Sequence, residues 1–251
     1  MNDPIKILGL IPARYASTRF PAKALADIEG KSMIRRVYEQ AKKSSALDTV
    51  YVATDHEAIA KEVETFGGRY VMTRADHQSG TDRCSEALEK IGGEYDYVVN
   101  IQGDEPFIHP EQIDECAGLL DGKVELATLI AKVHDADELY KDGEVMVVFD
   151  KNHNALYFSR HTIPFVQSVQ KKDWMKHQSF YKHVAVYAYR TDVLASITKL
   201  PVSSLEKSEK LEQLRWLENG YSIKLSETKY DNICIDTPED LKWAIKKIFK
   251  A

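Results

Sequence analysis

The sequence predicts an α/β fold, with a mostly parallel sheet flanked by helices. Three observations point there. Short apolar runs bounded by turn residues recur through the first hundred residues and read as buried strands. Between them lie segments with apolar residues at helical spacing, such as Met33, Ile34, Val37 and Ala41. The two types alternate, which is the pattern of βαβ crossovers. The 251 residues suit one large domain, and 43% hydrophobic with 29% charged residues is enough to bury a core.

The first strand is expected at residues 5–11, ended by Pro12, and further strands at 49–54, 69–73 and 95–101. Helices are expected at 32–43, 57–66 and 82–91; Gly67 and Gly68 follow the second as a stop signal. The second half changes character. Longer strands are expected at 126–133, 145–149, 155–158 and 184–189, interrupted by a polar excursion at 164–180. This mixed-strand part reads as an insertion in the parallel fold. A helix at 203–218 begins with a capping box, Ser203 with Glu206, and stops at Asn219-Gly220. A short apolar strand precedes Asp236. Thr237-Pro238-Glu239-Asp240 then opens the last helix, with Thr237 as N-cap, proline in the first turn and acids at the positive dipole end.

Composition excludes several classes. With 34 Lys+Arg against 39 Asp+Glu, the net charge is −5, so no overall basic field favours nucleic acid. Three cysteines without a CxxC pair do not build a disulfide framework and suit a reducing compartment. No apolar run spans a bilayer and no secretory h-region is visible, so a soluble, cytoplasmic protein without membrane partners is expected.

An anion site must therefore be built locally. After the first strand, one loop carries Arg14, Arg19 and Lys23 with Ser17 and Thr18 among them. Ligands of open α/β sheets bind beyond the carboxyl ends of the strands. Arginine forks and a lysine point charge there suit a triphosphate; a solvated basic loop is the plainer reading. Gly30-Lys31-Ser32 ends like a P-loop, but Leu25 stands where that motif needs glycine, and no GxGxxG occurs. Asp104, in Asn100-Ile101-Gln102-Gly103-Asp104-Glu105-Pro106, follows an apolar strand and offers hard oxygen to Mg²⁺ carried by phosphates. Asp236 offers a second carboxylate if Thr237 caps the helix. The polar run 72–83 holds Arg74, Gln78, Ser79 and Gly80 before a helix start, and such a run can read a base edge or serve as a plain loop.

IPARYASTRFPAK, VATDH, MTRADHQSGTDR, VNIQGDEP, ALYFSRHTIP, HVAVYAYR, SSLEKSEKLEQLR and IDTPEDL, in this order, resemble the 3-deoxy-manno-octulosonate cytidylyltransferase (CMP-Kdo synthetase) family over nearly the whole chain. The resemblance implies a nucleotide-diphospho-sugar transferase-like, Rossmann-like fold and the reaction of CTP with Kdo, giving CMP-Kdo and pyrophosphate with Mg²⁺. The product would feed lipopolysaccharide assembly. It implies that Arg14, Arg19 and Lys23 bind the triphosphate, that Ala13, Arg74, Gln78, Ser79 and Gly80 contact the nucleotide, and that Asp104 and Asp236 hold Mg²⁺. Gln102, Arg160, His183, Tyr187, Glu212 and Gln213 would surround the sugar acid. It also implies a homodimer. Residues 1–125 and 222–251 would form the nucleotide-binding core of a single domain, and 126–221 the sugar-binding and dimerisation part. Another sugar acid, 8-amino-Kdo or a sialic acid, is the alternative substrate. Three departures stand out. Ala22-Lys23-Ala24-Leu25 replaces the usual Gly-Lys-Pro-Leu, Gly30-Lys31-Ser32 replaces Gly-Lys-Pro, and Ser204 replaces a proline.

Overall fold

Strand β1 (Ile7–Ala13) is apolar on both sides, because both sides are covered: Ile7 and Ile11 point into one hydrophobic layer, Leu8 and Leu10 into the other. The computed structural model, which describes residues 4–140 and 143–249, places β1 near the middle of a nine-stranded sheet. After β1 come the small hairpin β2 (Asp27–Ile28) and β3 (Lys31–Ser32), helix α1 (Met33–Ala41), β4 (Thr49–Thr54), α2 (Glu57–Thr65), β5 (Tyr70–Met72), α3 (Gly80–Ile91), β6 (Tyr97–Asn100) and α4 (Pro110–Ala117). The second half runs β7 (Leu126–Lys132), α5 (Ala136–Leu139), β8 (Met146–Phe149), β9 (Ala155–Ser159), α6 (Trp174–His177), β10 (Tyr181–Arg190), α7 (Thr191–Ile197), α8 (Ser204–Glu209), α9 (Gln213–Glu218), β11 (Ile223–Glu227) and α10 (Pro238–Phe249).

The main sheet has the order β11-β7-β10-β6-β1-β4-β5. Strands β5, β4, β1 and β6 are parallel neighbours, as the βαβ pattern predicts. β10 then inserts antiparallel between β6 and β7, so both halves of the chain share one sheet. β8 hangs from β10, and β9 from β8. No helix among the described residues is long and apolar enough to cross a membrane.

Four expectations need correction. The first strand does not end at Pro12; Pro12 and Ala13 still pair with Ala53 and Thr54 of β4. Proline is accepted there because pairing with β6 has already ended at Leu10, leaving an edge on that side. The helix expected over 203–218 is two helices, broken at Lys210, whose φ of 54° is left-handed. Residues 231–236 are not a strand; the strand near there is β11, which pairs with β7. The excursion at 164–180 is not simply polar surface: Trp174 and Phe180 are buried with Val133, Leu139 and Met146 in a small separate core.

Candidate active site

The carboxyl ends of β1 and β6 open into a cavity of about 250 Å³. Each wall has a local cause. Gly103 turns the chain after β6, and a Cβ there would meet the Pro12 carbonyl oxygen at 2.7 Å, so only glycine lets this turn close on β1. The Ile235 N–H donates to the Asp104 carbonyl oxygen at 2.9 Å, which fixes the segment before α10 against that turn. Asp104 and Asp236 thereby converge from distant points in the sequence. Thr237 takes the capping role: its Oγ1 accepts from Asp240 N at 3.2 Å, and the Asp240 carboxylate accepts from the Asp236 and Thr237 N–H groups. The Asp236 carboxylate is left to the cavity.

Lys23 bridges the pair. Its Nζ lies 2.7 Å from Asp104 Oδ2 and 3.1 Å from Asp236 Oδ1. Burial works against its charge, but the two carboxylates, Asp104 foremost, outweigh it and hold its pKa above the ordinary lysine value. Arg19 Nη2 reaches Asp236 Oδ1 at 3.0 Å. One oxygen from each of Asp104 and Asp236 lies, together with the Cys234 Sγ, in a group of atoms all within 4.8 Å of one another. Glu105, next in sequence, is buried. Desolvation and then the Asp104 charge push its carboxyl up to about 8, and Asn232 Nδ2 donates to it at 2.5 Å.

Ala13, Arg14, Gln78, Ser79, Gly80 and Gln102 also line this cavity, as the sequence predicts. The Ser79-Gly80 turn is set by helix capping: Ser79 Oγ accepts from Asp82 N at 3.1 Å at the start of α3. Other expected residues lie elsewhere. Arg74 does not line the cavity; its side chain pairs with Asp76 at 3.3 Å and Glu86 at 3.7 Å over a separate depression. Arg160 lines another depression, where its Nε donates to the Glu209 carbonyl oxygen at 2.7 Å and its Nη2 to that of Lys210 at 3.3 Å. His183, Tyr187, Glu212 and Gln213 are absent from the cavity lining. His183 and Tyr187 do share one face of β10, their rings 5.1 Å apart, across an irregularity in the pairing with β7. Glu212 abuts the cavity from behind, accepting from Thr81 Oγ1 at 2.7 Å, and burial raises its pKa.

Sequence reasoning misses Arg83. It lines the cavity from α3 and is almost fully buried, with Nη2 2.9 Å from Asp55 Oδ2 and Nη1 donating to Thr73 Oγ1 at 2.6 Å. Asp55 Oδ1 accepts from Tyr15 N at 3.0 Å, so one carboxylate ties the basic loop to α3. The available signal is Asp55 directly after a strand, the same placement as Asp104.

The cytidylyltransferase family model matches residues 8–228. A 3-deoxy-manno-octulosonate cytidylyltransferase of Bacteroides thetaiotaomicron is 56% identical over 245 residues, covering 96% of this chain and 97% of the relative. The chain belongs to the 3-deoxy-manno-octulosonate cytidylyltransferase family. Another member, from Cytophaga hutchinsonii, is 52% identical over 242 residues, covering 96% of this chain and 97% of its own. A solved CMP:2-keto-3-deoxy-manno-octonic acid synthetase complexed with CTP superposes with a TM-score of 0.90 at 39% identity, over 98% of this chain and 99% of that one. A 4-diphosphocytidyl-2C-methyl-D-erythritol synthase from Anaerococcus prevotii, 12% identical with a TM-score of 0.63 over 97% of this chain and 98% of that one, shares the fold.

Against the usual cytidylyltransferase pattern, the departures have local accounts. Ala22, where the resemblance implies a glycine, sits at φ 52°, a left-handed conformation that costs any residue with a Cβ. Ser32 caps α1, its Oγ accepting from Arg35 N at 3.3 Å and donating to Glu62 at 2.7 Å. Ser204 opens α8 and donates to Glu218 at 3.0 Å.

Proposed function

We infer that this chain transfers CMP from CTP to Kdo and releases pyrophosphate. The observation that carries the reading is the meeting of Arg19, Lys23, Asp104 and Asp236 at the sheet edge, in a chain matched along its length by Kdo cytidylyltransferases. The anomeric hydroxyl of Kdo attacks the α-phosphorus of CTP. A new O–P bond forms as the bond to the α,β-bridging oxygen breaks, the hydroxyl proton passes to solvent, and pyrophosphate leaves in line. This step needs positioning and charge neutralisation, not a protein nucleophile. Arg14, Arg19 and Lys23 hold the triphosphate, and Arg19 and Lys23 balance the charge on the departing pyrophosphate. Ala13 and the Gln78-Ser79-Gly80 turn contact the nucleoside.

The donor set suits Mg²⁺. Two hard carboxylate oxygens already share one cation, the Lys23 ammonium, while the Cys234 thiol is too soft to add to them. Asp104 and Asp236 would hold the ion, which would supply Lewis-acid stabilisation of phosphate charge and acidify the attacking hydroxyl. With the ion there, the Lys23 ammonium would be left to pair with the phosphates.

Gln102 contacts the sugar acid from the cavity wall, with Glu212 behind the Ser79 turn and Gln213 next to it in sequence. His183 and Tyr187 shape the acceptor side and Arg160 pairs with the sugar carboxylate as it docks. The protein works in the cytoplasm as a homodimer. Leu156 and Phe165, both exposed and apolar within residues 126–221, are the surface that supports a second copy.

Pyrophosphate release from CTP and Mg²⁺ tests the reading, with Kdo, 8-amino-Kdo and N-acetylneuraminate offered separately. Release with Kdo is expected. Release only with another acid reassigns the acceptor, and no release from folded protein overturns the transferase reading. Size-exclusion chromatography with light scattering tests the dimer.

A further inference from the structure

Behind the cavity runs a buried chain of hydrogen bonds in which only the end residue, Glu212, has a role in the chemistry above. Asn100 ends β6, Tyr189 lies on β10, Thr81 is in the first turn of α3, and Glu212 sits before α9. Asn100, Tyr189 and Thr81 are each buried. Asn100 Nδ2 donates to the Tyr189 hydroxyl at 3.2 Å, the Tyr189 hydroxyl lies 3.2 Å from Thr81 Oγ1, and Thr81 Oγ1 donates to Glu212 Oε2 at 2.7 Å. The ends fix its direction. An amide nitrogen only donates and a carboxylate only accepts, and each hydroxyl has one proton. The tyrosine proton therefore points to Thr81, and the threonine proton to Glu212.

Both ends of this chain reach the cavity walls. At one end the Asn100 Oδ1 accepts a long contact, 3.5 Å, from Gln102 Nε2 on the lining. With its NH₂ held by Tyr189, the Asn100 amide must turn its oxygen toward Gln102. At the other end Glu212 also accepts from Ser79, whose turn lines the same cavity. One hydroxyl thus couples the Gln102 wall to Glu212. We propose that the Tyr189 hydroxyl is a positioning group for the sugar-acid acceptor, acting through Asn100 on Gln102 and through Thr81 on Glu212. The proposal rests on the Kdo reading above, which places Gln102 and Glu212 at the acceptor. The nucleotide side depends on it less, because the Ser79-Gly80 turn keeps its own helix cap besides the bond from Ser79 to Glu212.

The test is Tyr189→Phe. The ring keeps its stacking with Tyr187, at 6.0 Å, and its edge contact with Trp216, at 5.7 Å, so packing is preserved. The expected result is a KM for the sugar acid raised about tenfold with the KM for CTP changed less than twofold. Thr81→Val cuts the same chain from the other side and should show the same split. The double variant should be no worse than the poorer single, since both break one coupled unit. Wild-type KM values for both substrates overturn the proposal. A parallel rise in both KM values also overturns it, because that marks a merely structural role. A wild-type enzyme inert toward Kdo but active on another acid overturns the acceptor reading alone, and the split is then read with that acid. A wild-type enzyme inert toward every acid overturns both.

Discussion

At Lys23 burial and charge pull in opposite directions, and charge wins: two carboxylates keep a half-buried ammonium protonated where desolvation alone would favour the neutral amine. Asp104→Asn removes one charge from this trio with almost no change in volume. Turnover should fall by about 10²–10³, the scale of losing one transition-state electrostatic contact, while the thermal midpoint moves only a few degrees; wild-type turnover would reject the assigned role. His183 shows the opposite balance. Its Nε2 lies 2.9 Å from Thr128 Oγ1, whose single proton goes to a backbone carbonyl, so the imidazole Nε2–H donates there. Burial drives its pKa down to about 3. The unfolded chain takes up a proton below about 6.5, so this site costs nothing above that pH and destabilises progressively as pH falls from there toward 3. The His183 contribution to the urea midpoint should drop between pH of about 6.5 and 5, while the raised Glu105 carboxyl acts in the opposite sense over that window and is common to wild type and variant. His183→Gln, which retains a donor for Thr128, should flatten that drop; an unchanged slope would reject the assignment.

Single turns decide where elements begin and end. The loop holding Lys23 is entered through Ala22 in a left-handed conformation. Ala22→Gly should stabilise the protein by about 1 kcal/mol, a rise in melting temperature of roughly 2–4 °C for a chain this size. Calorimetry checks it, and a lower melting temperature would show that the loop does not carry this strain. What the sequence makes legible follows the same physics. Strands buried on both faces, such as β1 and β6, are apolar along almost their whole length and stand out. β11 does not, because it alternates buried with half-buried positions at the edge of the sheet. The break between α8 and α9 is hidden because lysine is a good helix former; the left turn at Lys210 satisfies tertiary partners, with Glu206 paired to Arg215 and Glu212 bonded to Thr81. In the site, Arg19, Lys23 and Asp104 are legible as charges beyond strands, and Asp236 as the acid left over when Thr237 caps the last helix. Arg83 is not, since an arginine on a helix reads as solvated until Asp55 is brought to it.

The main sheet joins the two halves of the chain through β10, which lies between β6 and β7. Residues 1–125 should therefore not fold alone: β6 would lose the pairing of Tyr97–Asn100 with 187–190. Expressed separately, this fragment should give no cooperative thermal transition and should bind a hydrophobic dye; a sharp transition would show that the parallel part is autonomous. The same arrangement bears on synthesis. β6 leaves the ribosome some ninety residues before its partner strand is complete, an interval of roughly 5–20 s at ordinary elongation rates. Through that interval an apolar strand, Tyr-Val-Val-Asn, presents open backbone groups along one edge. The nascent protein is thus most exposed to aggregation midway through translation, and the completion of β10 ends that exposure.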